Sequence, residues 1–159
     1  MLLEEKVVKC LNKKRLVMAT AESCTGGLIA KRITDISGSS SVFNCGIISY
    51  SNDIKEKVLG VKHETLENFG AVSEETVREM VKGVLLVSGA NVAVAVSGIA
   101  GPNSDNTKKP VGLIYLACSN GDKTLVRKLE NKFTEDIRNS NRLCASDVAL
   151  EMVLELVGE

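Results

Sequence analysis

The stretch Ala21–Gly27 reads AESCTGG and places an acid, two hydroxyls, a thiol and two adjacent glycines within seven residues. It follows the apolar run Leu16–Ala19 and precedes a sequence with helical spacing. A short apolar run bounded by glycines indicates a buried strand that turns sharply into a helix. Such an elbow either presents a nucleophile, Ser23 or Cys24, or binds an anion through its backbone.

The same alternation of strand and helix continues along the chain. The predicted strands cover residues 16–20, 42–51, 92–96, 111–119 and 123–129. Helices are predicted near 2–14, after the elbow, around Lys55 up to Gly60, from Ser73 onward, and at the carboxyl end. Asn120-Gly121 predicts a hairpin between the last two strands. We therefore expect a single α/β domain over residues 1–159, with three α/β/α layers and a mixed, mostly parallel sheet of about five strands.

Composition excludes several classes of protein. The 159 residues are 44% hydrophobic and carry 20 basic against 20 acidic side chains, which does not suit a nucleic-acid binder. Aromatic residues make up only 3%, so base-stacking platforms are not expected either. The uncharged run 83–104 is interrupted by Ser88-Gly89-Ala90-Asn91, which favours a helix end and a buried strand over a membrane span.

The cysteines and the amino terminus predict a cytoplasmic location. Five cysteines are present, an odd number with no CxxC pair, and Met1-Leu2-Leu3 runs straight into charged residues rather than into a secretory signal. Reduced thiols fit this pattern best. Because His63 is the single histidine, we expect no metal site.

Familiar catalytic patterns are mostly absent. A Ser-His-Asp triad would depend on His63, which sits in what reads as an exposed helix start. Cys24 is either a thiolate activated at a helix amino terminus or a small buried thiol. The G-x-S-x-G elbow is missing. No G-x-G-x-x-G occurs, and Ile54 stands where a Tyr-x-x-x-Lys pair would need lysine, so a nicotinamide-linked dehydrogenase is not expected.

Three other positions carry candidate chemistry. Lys55 follows a predicted buried strand and could act as a base if burial lowers its pKa, or it could be a solvated helix lysine. The small residues of Ser97–Pro102 allow backbone N–H groups to approach an anion, or they simply form a tight turn. Arg138, near the start of the last helix, suits phosphate recognition or a surface ion pair.

Several long segments resemble the CinA C-terminal domain family. They are TAESCTGG, ISGSSSVFNCGIISYSNDIKEKVLGV, GAVSEETV, VAVSGIAGP and KPVG, in that family's order and over about residues 19–142. Members include amidohydrolases that convert nicotinamide mononucleotide to nicotinate mononucleotide and ammonia in pyridine-nucleotide recycling. The resemblance implies this activity without a cofactor, a nucleotide as the small-molecule partner and a homodimer. The sequence resembles the stand-alone form of the domain.

The resemblance also implies roles for individual residues. It makes Ser40 the nucleophile, with Tyr50 and Lys55 accepting its proton. Ser97 stands where relatives usually have threonine, and Arg138 aligns with the family arginine after one inserted residue. The implied substrate-binding residues are Ser23, Thr25, Gly26, Ser97, Gly98 and Arg138.

On this basis AESCTGG holds substrate and Cys24 only packs. The chain departs from the family at Asn103–Asn106, where relatives often have two glycines, and this places the extra acid Asp105 near the expected phosphate. A catalytically silent nucleotide-binding or interaction module is therefore the alternative. An amidase for another nucleotide-like amide is the third possibility.

Overall fold

The structure is a computed structural model that describes residues 1–158 of the chain. The five strands are β1 Met18–Glu22, β2 Phe43–Ile48, β3 Val92–Gly98, β4 Leu113–Ser119 and β5 Thr124–Glu130. The six α-helices are α1 Leu3–Lys14, α2 Leu28–Thr34, α3 Asn52–Leu59, α4 His63–Phe69, α5 Glu74–Ser88 and α6 Ile137–Leu156. A short 3₁₀ helix, Ser39–Ser41, precedes β2.

The strands form one mixed sheet in the order β2-β1-β3-β4-β5. β1 is parallel to β2 and to β3, whereas β4 is antiparallel to both β3 and β5. Four of the five strands therefore point the same way. The predicted hairpin is β4–β5, with Ser119 opposite Thr124 and a left-handed Gly121 in the turn. The α/β fold predicted from the sequence is confirmed.

Helices cover both faces of the sheet and bury a core on each. One core contains Val7, Leu11, Ile29, Ile33, Leu150 and Val153 from α1, α2 and α6. The other contains Leu59, Leu66, Val77, Met80, Val81 and Val84 from α3, α4 and α5. Because it is covered on both sides, β1 is buried at all five positions, as expected for a central parallel strand. The three predicted layers are present.

The sheet brings the carboxyl ends of three strands to one edge. Glu22 of β1 pairs with Ile48 of β2 and with Val96 of β3, so the residues that follow these strands lie side by side. β1 runs two residues further than predicted and ends directly before Ser23. Open α/β sheets bind ligands at this edge. Among the described residues no helix has the length and apolar character needed to cross a bilayer.

Candidate active site

Lys55 and Ser23 form the centre of the site. The Lys55 Nζ lies 3.0 Å from the Ser23 Oγ. Ser23 is the first residue after β1, and Lys55 lies on α3, the helix that follows β2. The Nζ also donates to the backbone oxygen of Ser49 at 2.8 Å and approaches that of Tyr50 at 3.5 Å. A lysine amine is thus aimed at a serine hydroxyl within hydrogen-bond distance.

Lys55 is held in an unusual environment for a lysine. Its side chain is 1% exposed, and none of its hydrogen-bond partners is a carboxylate. Burial without a counter-charge disfavours the ammonium form and lowers the pKa of Lys55 from 10.5 to about 8. At pH 7 roughly a tenth of the amine is therefore neutral, which is the form that a general base requires.

Glu22 fixes the elbow that carries Ser23. Its carboxylate, 1% exposed, accepts hydrogen bonds from the Thr25 hydroxyl at 2.7 Å and from the backbone N–H groups of Ile29 at 2.8 Å and Ala30 at 3.0 Å. The N-cap residue of α2 is Gly27, which has no side chain to satisfy those N–H groups. Glu22 thus caps α2 from the preceding strand and stabilises the turn between them.

A pocket of about 460 Å³ opens in front of this pair. Its lining includes Ser23, Lys55, Tyr50, Ser97, Gly98 and Arg138, all of them predicted site residues. Ser97, 1% exposed, and Gly98 end β3. A Cβ atom on Gly98 would lie 2.6 Å from the Ile114 side chain, so a larger residue does not fit there. The structure therefore gathers most of the predicted residues in one cavity.

Arg138 supplies a positive charge at this pocket. Its guanidinium donates to the backbone oxygen of Gly101 at 2.7 Å and to the Tyr50 hydroxyl at 2.9 Å. None of the ion pairs among the described residues involves Arg138. A guanidinium has five N–H donors, so donors remain for an anionic ligand. The Tyr50 hydroxyl contacts Arg138 rather than Lys55, unlike the proton-accepting role implied by the resemblance.

Three predicted site residues do not line the pocket. Thr25 is fully buried with its hydroxyl on Glu22, and Gly26 faces Arg142, whose guanidinium nitrogen would lie 2.9 Å from a Cβ atom there. These two residues shape the elbow instead of lining the cavity. Ser40 is exposed and precedes β2, at the opposite end of the strand from Lys55.

The structure separates Ser40, the predicted nucleophile, from Lys55. The six residues of β2 separate it from the pocket, which corresponds to roughly 20 Å along an extended strand. Within this chain Ser40 cannot give its proton to Lys55. The serine within reach of Lys55 is Ser23, which the sequence analysis considered for this role and then assigned to binding.

The thiol and the histidine considered from the sequence lie outside the Ser23–Lys55 pair. Cys24 lines the pocket but is 6% exposed, and burial raises its pKa to about 12, so it remains a thiol. His63 is exposed and contacts Glu56 and Glu67. Sequence reasoning did not select Asn52, Ser104 or Asp105 as binding residues, although they line the pocket. Asn52 lies two residues after Tyr50 in the sequence, and this proximity to a predicted site residue could have identified it.

Comparison with known proteins agrees with this architecture. The CinA C-terminal domain matches residues 2–157. The chain belongs to the CinA C-terminal domain family. A CinA-like protein of Kosmotoga olearia is 48% identical over 156 residues, which cover 98% of this chain and 38% of the relative. A CinA-like protein of Chlorobium phaeobacteroides is 46% identical over 96% of this chain and 37% of the relative.

Solved structures of the family share the fold. The competence/damage inducible protein CihA from Agrobacterium tumefaciens has a TM-score of 0.91 and 42% identity, covering 99% of this chain and 94% of that one. The competence damage-inducible protein A from Klebsiella pneumoniae has a TM-score of 0.91 and 32% identity, covering 98% and 96%. The two curated CinA-like relatives are longer, and this chain spans a little over a third of each.

Proposed function

We propose that this CinA C-terminal domain is a serine–lysine amidohydrolase that deamidates nicotinamide mononucleotide to nicotinate mononucleotide and ammonia. One observation carries the proposal: the buried amine of Lys55 lies 3.0 Å from the Ser23 hydroxyl, at the wall of a pocket. A serine beside a base with a lowered pKa is the arrangement used for nucleophilic attack on an acyl carbon. The nucleophile in this proposal is Ser23.

The proposed reaction proceeds in two halves. Neutral Lys55 accepts the Ser23 proton while the Oγ attacks the carboxamide carbon, and a tetrahedral oxyanion forms. The resulting ammonium group returns its proton to the departing nitrogen, so ammonia leaves and an acyl ester remains on Ser23. Water, deprotonated by Lys55, then attacks the ester carbon. The ester C–O bond then breaks while the Lys55 ammonium returns its proton to the Ser23 Oγ, and the acid product loses a proton to solvent and leaves as the carboxylate.

Backbone N–H groups of the elbow are suited to hold the oxyanion. The N–H after a nucleophilic serine on a strand-to-helix turn commonly serves this purpose. Here that residue is Cys24, and among the described turns and loops its backbone N–H donates to no backbone oxygen. Each well-placed donor stabilises the transition state by roughly 3 kcal/mol.

The Arg138 guanidinium supports a nucleotide as substrate, and the carboxylate of Asp105 is the opposing charge in the pocket lining. Arg138 lacks a carboxylate partner among the described residues and retains free donors, which suits a phosphate group. A volume of about 460 Å³ is within the range of small-molecule sites. The amide carbon would lie at Ser23, and the phosphate would lie toward Arg138. The homodimer expected from the resemblance remains a prediction.

The test is to capture the acyl-enzyme and locate it. Purified chain is mixed with nicotinamide mononucleotide, ammonia and nicotinate mononucleotide are quantified, and an early sample is acid-quenched and digested with trypsin. Residues 16–31 and 33–55 fall in separate tryptic peptides, so Ser23 and Ser40 are distinguished by mass. We expect equimolar products and the acyl mass on peptide 16–31. Binding of the nucleotide without ammonia release would instead establish the silent binding module.

A further inference from the structure

Two segments with a strong family resemblance have no role in the chemistry described so far. One is the turn between α4 and α5, residues 70–73, which opens the segment GAVSEETV. The other is the loop between β3 and β4, residues 99–112, which ends in KPVG. Both line the pocket, through Ala71 and Val72 in the turn and through Asn103–Asp105 in the loop. They form one wall of the cavity.

A single side chain joins these two segments. The Lys109 ammonium donates to the backbone oxygen of Phe69 at 2.6 Å and to that of Val72 at 2.6 Å. Phe69 is the last residue of α4, where carbonyl groups lack partners within the helix. A cation at a helix carboxyl end also interacts favourably with the helix dipole. Lys109, which belongs to the loop between β3 and β4, is therefore hydrogen-bonded to the end of α4 and to the turn that follows it.

The turn is shaped to receive this ammonium. Gly70 has a φ of 79°, and a Cβ atom there would lie only 3.2 Å from the Lys109 Nζ. The backbone oxygen of Gly70 accepts from the hydroxyls of Ser73 at 2.9 Å and Thr76 at 2.7 Å, which ties the turn to the start of α5. The glycine, the two hydroxyls and the lysine thus form one connected set of contacts.

We propose that Lys109 is a positioning residue that holds the wall formed by residues 70–73 and 99–112 in place for substrate binding. The Lys109 clamp, meaning its two bonds to Phe69 and Val72, sets the position of Ala71–Val72 relative to Asn103–Asp105 within that wall. The binding role rests on the proposed function, whereas the clamp itself does not.

The clamp acts on binding rather than on chemistry because the reacting pair is anchored elsewhere. Ser23 is fixed by β1 and the Glu22 carboxylate, and Lys55 is fixed by α3 and the Ser49 carbonyl. Neither contact involves the turn or the loop. Loss of the clamp therefore leaves the Ser23–Lys55 pair intact for substrate that has bound. The affinity for substrate falls, because the pocket wall is no longer fixed in position.

Hydrogen–deuterium exchange tests the clamp without any substrate. The full chain is compared with Lys109→Met, Lys109→Arg and the matched control Lys108→Met, which removes a neighbouring exposed ammonium. In Lys109→Met, amides of residues 69–77 and 99–112 should both exchange faster, by about tenfold or more. Lys108→Met should match the unchanged chain, and Lys109→Arg should restore most of the protection. Unchanged exchange at residues 69–77 in Lys109→Met would overturn the clamp.

Steady-state kinetics with nicotinamide mononucleotide tests the role in binding. Lys109→Met should raise KM by about tenfold with kcat within about twofold, since uniform binding is lost. Lys109→Arg should recover most of the change in KM. Equal loss of kcat and kcat/KM, or an unchanged KM, would overturn the positioning role. If the unchanged chain releases no ammonia, the proposed function fails, and exchange alone decides whether the clamp exists.

Discussion

Two serine-bearing loops border the same pair of strands and differ in almost every physical respect. The elbow after β1 carries Ser23, which is 8% exposed and contacts a buried lysine. The loop before β2 carries Ser40, which is exposed. In the elbow a buried carboxylate accepts three hydrogen bonds, whereas in the Ser40 loop Ser41 donates to the Gly38 carbonyl at the surface. Of the two serines, only Ser23 is buried beside a lysine amine.

The difference arises from strand direction. Because β1 and β2 are parallel, the residues that follow both strands meet at one edge of the sheet, and the residues that precede β2 lie at the other edge. Lys55 follows β2, so it meets the residue that follows β1. Sequence separation misleads here, since Ser40 is 15 positions from Lys55 and Ser23 is 32 positions away.

Removing each hydroxyl in turn is the largest test of this comparison. Ser23→Ala should lower kcat for ammonia release by on the order of 10⁴-fold or more, because the attacking atom is gone. Ser40→Ala should leave kcat and KM within about twofold, as is usual for an exposed loop serine. Circular dichroism and thermal melting check that both variants fold. Loss of activity in Ser40→Ala with retention in Ser23→Ala would reverse the assignment.

Lys55→Met should reduce kcat by roughly 10³-fold, somewhat less than the serine variant, because general-base catalysis typically contributes 10²–10⁴-fold. In the unchanged chain the neutral amine is the active form, so kcat/KM should rise with pH and reach half its plateau near the lowered pKa of about 8. The measurement is a pH profile under dilute substrate. A profile that falls over this range would contradict a lysine base.

Much of the fold could be predicted from the sequence, because buried strands, amphipathic helices and the Asn120-Gly121 turn are local signals. Lys55 and Ser97 were likewise singled out by their positions after apolar runs, and both line the pocket. The partner of Lys55 could not be found in this way, because it depends on which strands are neighbours and in which direction they run. The cap on α2 by Glu22 was also hidden, since the carboxylate acts seven and eight residues ahead of its own position.

Glu22 gives a test of how strongly the elbow is positioned. In Glu22→Gln one carboxylate oxygen becomes an NH₂ group, which donates hydrogen bonds and does not accept them. The side chain can then no longer accept all three hydrogen bonds, from the N–H groups of Ile29 and Ala30 and from the Thr25 hydroxyl. We expect kcat to fall about 10–100-fold with little change in KM, because a small displacement of Ser23 costs reaction rate. Ser41→Ala, which removes the hydrogen bond within the Ser40 loop, is the matched control and should be neutral.

Lys55 should also carry a cost in stability that the Ser40 loop lacks. Its pKa falls from 10.5 to about 8 on folding, so the unfolded chain binds the proton more tightly. The cost is fully present below pH 8 and disappears as the pH rises toward 10.5. Lys55→Met should therefore raise the free energy of unfolding near pH 7 by about 1–3 kcal/mol, after the loss of two hydrogen bonds. In urea titrations this gain should shrink near pH 10, and a gain that persists there would contradict the buried-amine explanation.

Substitution of Tyr50 should have the smallest effect on activity and separates two possible roles of its hydroxyl. Tyr50 lies beyond the pocket end of β2, whereas Ser40 lies beyond the opposite end. If its hydroxyl relayed the serine proton, Tyr50→Phe would lower kcat by about 10²-fold or more. Its hydroxyl instead accepts from Arg138 at 2.9 Å, and only its backbone oxygen approaches Lys55. Tyr50→Phe should therefore raise KM by about two- to fivefold and leave kcat nearly unchanged, because one neutral hydrogen bond that orients the guanidinium is lost. Michaelis–Menten measurements separate the two outcomes. A large fall in kcat would instead place the Tyr50 hydroxyl in the path of the serine proton. The direct contact between Ser23 and Lys55 does not require such a relay.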